Sequence, residues 1–207
     1  ARDLANLLAH FGLSEATLVG HSMGALTIWE YLRARGSARV GALCFVDQSP
    51  RLVTDAQWPH GIYGDFDAAR SGAFLRELRT DFAEAVLRLA AHGGNERARR
   101  KYDEDSAGWR AVREILRQLP PGPLIAAWES LVAADYRDVL PAIDRPTLLV
   151  HGSESNFYSP ETARHVQSRI PGAVLDLYEG ADHSPHWYEP DRFAASLAAL
   201  VARRHRA

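Results

Sequence analysis

The chain has 207 residues, of which 46% are hydrophobic, and a net charge of −2 at neutral pH, which suits one domain or one domain with an insertion. This charge gives no electrostatic case for binding nucleic acid or an anionic membrane surface, and no apolar stretch reaches the roughly 20 residues of a membrane span. The single cysteine, Cys44, cannot form an internal disulfide and lies in an apolar run, so a buried thiol is expected.

Short apolar runs alternate with helical patterns along most of the chain. The runs predicted as strands are 16–19, 40–46, 147–150 and 173–178. The predicted helices between and around them are a first one that ends at Gly12, then 25–34, 160–169 and 190–203. Strands that alternate with helices imply right-handed crossovers and a parallel sheet. The predicted fold class is therefore α/β, with four parallel strands flanked by helices.

One long segment interrupts this alternation. Residues 51–141 read as helices only, at 66–92, 107–119 and 124–133. Because the segment is inserted between two parallel strands, it must lie above the carboxyl edge of the sheet. We therefore expect three parts: a first part of the core (1–50), a helical cap (51–141) and the rest of the core (142–207). Most aromatic residues of the cap are expected to pack its own core, with one or two lining a pocket; they are Trp58, Tyr63, Phe66, Trp109 and Trp128.

The motif from Gly20 to Gly24 has the sequence Gly-His-Ser-Met-Gly. It follows a predicted strand and opens a predicted helix, which is the context of a nucleophile elbow. The turn is so tight that side chains two residues either side of Ser22 would collide, and glycine at both places avoids this. Ser22 is thus the candidate nucleophile. The helix N-terminus after it aims the Met23 N–H at the place where an oxyanion would form.

A serine hydroxyl needs an adjacent base to take its proton. Among nine histidines, His183 fits best because it directly follows the fourth strand, at the carboxyl end where sites of this kind lie. His186 is expected to orient that loop, and His21 to have a structural role. A metal site on His183 and His186 is disfavoured by the intervening Pro185. The sequence predicts neither a metal nor a cofactor.

The base needs a carboxylate to fix its tautomer, and the residues alone leave two candidates. Asp47 ends the second predicted strand, where a buried carboxylate is costly unless it is used. Glu154 is the acid of the loop after the third strand. Asp182 points the wrong way to partner its neighbour, and Asp144 lies at the opposite edge of the sheet.

These features together give the chain a resemblance to the carboxyl-terminal two-thirds of α/β-hydrolase-fold enzymes with a cap, such as esterases, lipases and cofactor-free haloperoxidase-like hydrolases. The matching stretches are the serine motif, the strand and turn before Gly152, and the loop that ends at His183. In most such enzymes the acid stands three residues after this glycine, where the chain has Ser155. A subset, including some haloalkane dehalogenases, places it where this chain has Asp47. The resemblance therefore favours Asp47, with Glu154 as the alternative.

In such folds about four strands, a helix and the loop with the second oxyanion donor precede the elbow. The resemblance implies that these elements are missing from this chain, which leaves the elbow strand at an open edge of the sheet.

The resemblance implies a serine hydrolase that cleaves a carboxylic ester of a small, largely apolar substrate through an acyl-enzyme. The alternatives are a C–C bond hydrolase, a thioesterase or a cofactor-free perhydrolase, and, outside the enzymes, a ligand-binding protein or an inactive fragment. The expected partner is the small-molecule ester, with no nucleic acid and no membrane span. A cytoplasmic location is expected, and the oligomeric state is left open.

Overall fold

The structure, a computed structural model, describes residues 1–204 and contains one four-stranded sheet. All neighbouring strands pair in parallel, in the order β1-β2-β3-β4. The strands are β1 (Ala16–His21), β2 (Val40–Val46), β3 (Thr147–Gly152) and β4 (Val174–Tyr178). The predicted α/β fold with four parallel strands is confirmed. Within the described residues β1 and β4 are the two edges, and Val19 in β1 is accordingly 46% exposed.

Helices connect the strands and cover both faces of the sheet. They are α1 (Arg2–His10), α2 (Met23–Arg35), α3 (Ala68–Thr80), α4 (Phe82–Ala91), α5 (Glu96–Asp103), α6 (Ala107–Arg117), α7 (Pro121–Ala133), α8 (Pro160–Arg169), α9 (Pro185–Tyr188) and α10 (Pro190–Arg204). Single turns of 3₁₀ helix occur at Ile62–Gly64 and Leu140–Ala142. Across residues 1–204, no helix combines the length and apolar character required to cross a bilayer.

The two central strands are buried on both faces because each face is covered by helices. Alternate residues of a strand point to opposite sides, so Leu43 and Phe45 pack towards α1, α2 and α8. Cys44 and Val46 pack on the other side, against α10. Burial raises the pKa of the Cys44 thiol to about 12, so this cysteine is a protonated, structural residue, as expected.

The helical segment (residues 51–141) differs from its prediction in three places. The single helix predicted at 66–92 is two helices, because Asp81 adopts an extended backbone and its side chain accepts from the N–H of Glu84, capping α4. Helix α5 was missed because its sequence is mostly charged and gives little apolar periodicity; Asn95 caps it. Helix α7 begins at Pro121 rather than at 124, since proline is well tolerated in a first turn.

Candidate active site

The carboxyl ends of the strands bring the predicted site residues to one edge of the sheet. His21 pairs with Val46, and Val46 pairs with Val150. The N–H of Ser22 donates to the carbonyl of Val46 at 3.0 Å, and the N–H of Asp47 donates to that of Val150 at 2.8 Å. The first residues after β1 and β2 are therefore held side by side by backbone hydrogen bonds.

Ser22 lies in a strained turn between β1 and α2. Its backbone has φ 53° and ψ −121°, a region that costs a non-glycine residue about 1–3 kcal/mol. A Cβ at Gly20 would lie 2.6 Å from backbone atoms of Gly24 and Ala25, whereas a Cβ at Gly24 would meet nothing within 4 Å. The expectation that both flanking glycines are sterically required is therefore wrong for Gly24, because the helix side of the turn faces open space.

Met23 is the first residue of α2. The first four N–H groups of a helix lack intrahelical partners, and the helix dipole makes this end favourable for negative charge. The Met23 N–H thus lies where the sequence predicts an oxyanion donor. Its part in catalysis stays a prediction.

The structure brings Asp47 and His183 together. The Nδ1 of His183 donates to Oδ1 of Asp47 at 2.8 Å, with the carboxylate fully buried and the imidazole 14% exposed. Asp47 has a positive φ of 49°, a second strained residue at the same sheet edge. The alternative acid, Glu154, lies outside this contact: it is half exposed and pairs with Arg97 at 3.1 Å.

Two further donors hold the Asp47 carboxylate. The backbone N–H of Gly152 donates to Oδ2 at 2.9 Å, and the hydroxyl of Ser155 donates to Oδ1 at 2.7 Å. The Nδ1 of His151 is 3.5 Å from Oδ2. Such bonds offset the cost of burying a charge. Sequence reasoning noted Ser155 only as a departure from the usual acid position, yet the residue at that position still contacts the acid.

Ring packing and two backbone hydrogen bonds fix the position of His183. Its ring meets the ring of Phe157 edge-on, with centroids 4.5 Å apart. Its N–H donates to Oδ1 of Asn156 at 3.3 Å, and its carbonyl accepts from Nε2 of His21 at 2.8 Å. Because the proton on Nδ1 is hydrogen-bonded to Asp47, a neutral imidazole has its Nε2 lone pair free to accept a proton. This is the state a general base requires.

His186 lies on α9 and contributes packing rather than a contact to the acid. Its ring centroid is 4.7 Å from that of His21 and 6.0 Å from that of Trp187. Burial lowers the pKa of His186, and His183 lowers it further. In the part of the chain that the structure describes, no three or more His, Cys, Asp or Glu side chains are grouped so as to bind a metal ion.

This parallel sheet, with the turn at Ser22 and the loop at His183 at one edge, has the architecture of the α/β-hydrolase fold. Residues 1–196 match the alpha/beta hydrolase family, and the chain belongs to that family.

Individual relatives agree with this assignment. The chain is similar to a pimeloyl-[acyl-carrier protein] methyl ester esterase from Neisseria meningitidis serogroup A, with 29% identity over 186 residues, 90% of this chain and 57% of that protein. It is 31% identical to a protein of the same name from Cronobacter sakazakii over 205 residues, 97% of this chain and 74% of that one. Its fold is similar to that of a bromoperoxidase from Bacillus anthracis, with a TM-score of 0.80, 21% identity, and coverage of 97% of this chain and 72% of the other.

Proposed function

We propose that the chain carries the catalytic residues of a serine hydrolase that cleaves carboxylic esters. Ser22 is the nucleophile, His183 the base, Asp47 the carboxylate that orients His183, and the Met23 N–H an oxyanion donor. The observation that carries this proposal is the 2.8 Å bond from His183 to a fully buried Asp47. This bond lies at the sheet edge where the strained turn presents Ser22.

The chemistry proceeds in two acyl-transfer steps. The Ser22 oxygen attacks the ester carbonyl while its proton passes to Nε2 of His183, and the Met23 N–H stabilises the resulting oxyanion. Collapse expels the alcohol, which takes the proton from His183, and leaves an acyl-enzyme. Water then attacks the acyl group with His183 again as base, releasing the carboxylic acid and regenerating Ser22. Asp47 stays ionised and stabilises the imidazolium.

For the substrate we propose a methyl ester of a largely apolar acyl chain. Ester hydrolysis is favoured over C–C bond cleavage, thioester cleavage and perhydrolysis because two relatives carry the name of a methyl ester esterase. The ring of Phe157 contacts the ring of His183 edge-on, with centroids 4.5 Å apart. This apolar surface beside the base suits an apolar acyl group. A cytoplasmic location stays a prediction.

The test is ester hydrolysis by the protein and two serine variants. A series of methyl and p-nitrophenyl esters of increasing acyl length is offered to wild type, Ser22→Ala and the matched control Ser184→Ala, in the loop after β4. We expect turnover by wild type and the control, and a loss of about 10³-fold or more in Ser22→Ala. Hydrolysis that survives Ser22→Ala, or no hydrolysis of any ester by wild type, would contradict the proposal.

A further inference from the structure

His21 makes one hydrogen bond across a large separation in sequence. Its Nε2 lies 2.8 Å from the carbonyl oxygen of His183, 162 residues away. A carbonyl can only accept, so the proton is on Nε2 of His21. His21 is the last residue of β1, fixed by pairing with Val46, and it directly precedes Ser22. The bond therefore joins the turn that carries the nucleophile to the loop that carries the base.

The topology explains why such a link is needed. Ser22 follows β1 and His183 follows β4, and these strands are at opposite edges of the sheet. Three strand spacings separate them, roughly 14 Å. The loop after β4 must therefore reach back over β3 and β2 to bring its imidazole towards the serine. The hydrogen bond from His21 holds the returning loop at the β1 side.

A second anchor holds the same residue, His183, through its backbone N–H. The N–H of His183 donates to Oδ1 of Asn156 at 3.3 Å, and the Nδ2 of Asn156 donates to the carbonyl of Ala90 in α4 at 2.6 Å. The ring of His183 is held separately by Asp47. Loss of the bond from His21 should therefore shift the loop without unfolding it.

The surroundings of His21 favour its neutral form, and the hydrogen bond to the carbonyl of His183 selects the tautomer with the proton on Nε2. Burial lowers its pKa, and the nearby charge of His183 lowers it further, so His21 is neutral at neutral pH. The titratable groups that face it are His183, His186 and Asp47. Its ring lies between the other two imidazoles, with centroids 4.8 and 4.7 Å away. This packing limits its rotation and favours a single orientation.

We propose that His21 is a positioning residue, which holds the carbonyl of His183 and thereby sets the distance between the base and Ser22. The proposal rests on the proposed function for its kinetic consequence. It assigns His21 no contact with the substrate and no proton transfer. Its prediction is that kcat depends on a donor at the position of Nε2, while KM does not.

Three substitutions separate this role from packing. His21→Gln keeps an N–H donor at the reach of Nε2, His21→Asn carries the same amide one methylene shorter, and His21→Leu removes the polar group. The measurements are kcat and KM with the best ester, Tm, and the proton resonance of the Nδ1–H of His183, which reports its bond to Asp47 without turnover. A neutral hydrogen bond corresponds to about three- to tenfold in rate.

We expect the Asn and Leu variants to lose about three- to tenfold in kcat with KM within about twofold, and the Gln variant to stay near wild type. The Nδ1–H resonance of His183 should broaden in the Asn and Leu variants and stay unchanged in the Gln variant. Equal kcat in all three variants and wild type, or a Gln variant as impaired as Leu, would overturn the proposal. If the Leu variant does not fold, the Gln and Asn pair decides. If wild type hydrolyses no ester, the proposed function fails, and an unchanged resonance in all variants would separately overturn the role of His21.

Discussion

Replacing Asp47 by asparagine changes one atom of the carboxylate that holds His183. The carboxylate accepts from Gly152 N–H at 2.9 Å, Ser155 hydroxyl at 2.7 Å and His183 Nδ1 at 2.8 Å. An amide has only one acceptor oxygen. The backbone N–H of Gly152 cannot turn away, so the amide oxygen should face it. The amide NH₂ then faces Ser155, whose hydroxyl can rotate to accept, and His183.

This orientation forces His183 into the wrong tautomer. Its Nδ1 must accept from the new amide, so its proton moves to Nε2, where the lone pair for Ser22 is required. We expect Asp47→Asn to lower kcat by about 10³- to 10⁴-fold with little change in KM. If the amide instead faces Gly152 with its NH₂, two buried donors oppose each other. The free energy of unfolding then falls by about 1–3 kcal/mol.

The matched control is Glu154→Gln. Glu154 is half exposed and its ion pair with Arg97 is on the surface, and such pairs contribute about 0–1 kcal/mol. We expect kcat within about twofold of wild type. The assay is steady-state hydrolysis of the best ester, with urea denaturation of each variant. An Asp47→Asn variant within tenfold of wild type, or a Glu154→Gln variant that loses 10²-fold or more, would refute the assignment of the acid.

A double variant extends the same reasoning. The Ser155 hydroxyl is 2.7 Å from the oxygen of Asp47 that binds His183, so a carboxylate at position 155 would lie close to the imidazole. In Asp47→Asn/Ser155→Asp the amide at position 47 can donate to the new carboxylate. We expect kcat at least tenfold above that of Asp47→Asn alone. No recovery in a folded double variant would show that position 155 cannot supply the acid.

Two further predictions concern stability. Gly20→Ala should lower the free energy of unfolding by about 1–3 kcal/mol, because its Cβ would lie 2.6 Å from backbone atoms. In Gly24→Ala the Cβ would meet nothing within 4 Å, so the free energy of unfolding should be unchanged or higher. Equal Tm losses in the two variants would contradict this. Burial lowers the pKa values of His60 and His165, whose rings stack at 4.3 Å, below their ordinary value of 6.5. Between the two pKa values, the unfolded chain therefore binds more protons on these histidines than the folded chain does. Their contribution to the free energy of unfolding is complete above pH 6.5 and is lost as the pH drops towards the folded pKa values. Urea denaturation between pH 7.5 and 5.5 should show a smaller loss for His60→Asn/His165→Asn than for wild type, and an equal loss would contradict the assignment.

The sequence predicted those parts of the site that depend on local rules. The motif around Ser22 is contiguous, and His183 follows a strand that its apolar run identifies. Both are placed by the rule that functional residues lie at the carboxyl ends of parallel strands. The choice of Asp47 over Glu154 was harder, because it depends on which strand ends lie side by side, and it came from the family resemblance.

The parts that sequence reasoning missed depend on contacts between distant residues. The role of Ser155 needs the pairing of β2 with β3, which brings it to Asp47. The bond from His21 to the carbonyl of His183 joins the end of β1 to the loop after β4, the two outer strands, and no spacing pattern in the sequence predicts it. The break at Asp81 was missed for another reason: apolar residues continue at helical spacing on both sides, and only the capping side chain marks the boundary.

The most direct test of the central claim is to locate the serine that reacts with a fluorophosphonate probe. The protein, with Ser22→Ala and His183→Ala variants, is incubated with the probe, digested and mapped by mass spectrometry. The account predicts one adduct, on the Ser22 oxygen, that is absent in Ser22→Ala and forms far more slowly in His183→Ala. An adduct on another serine, or labelling of wild type that is unaffected by either substitution, would contradict it.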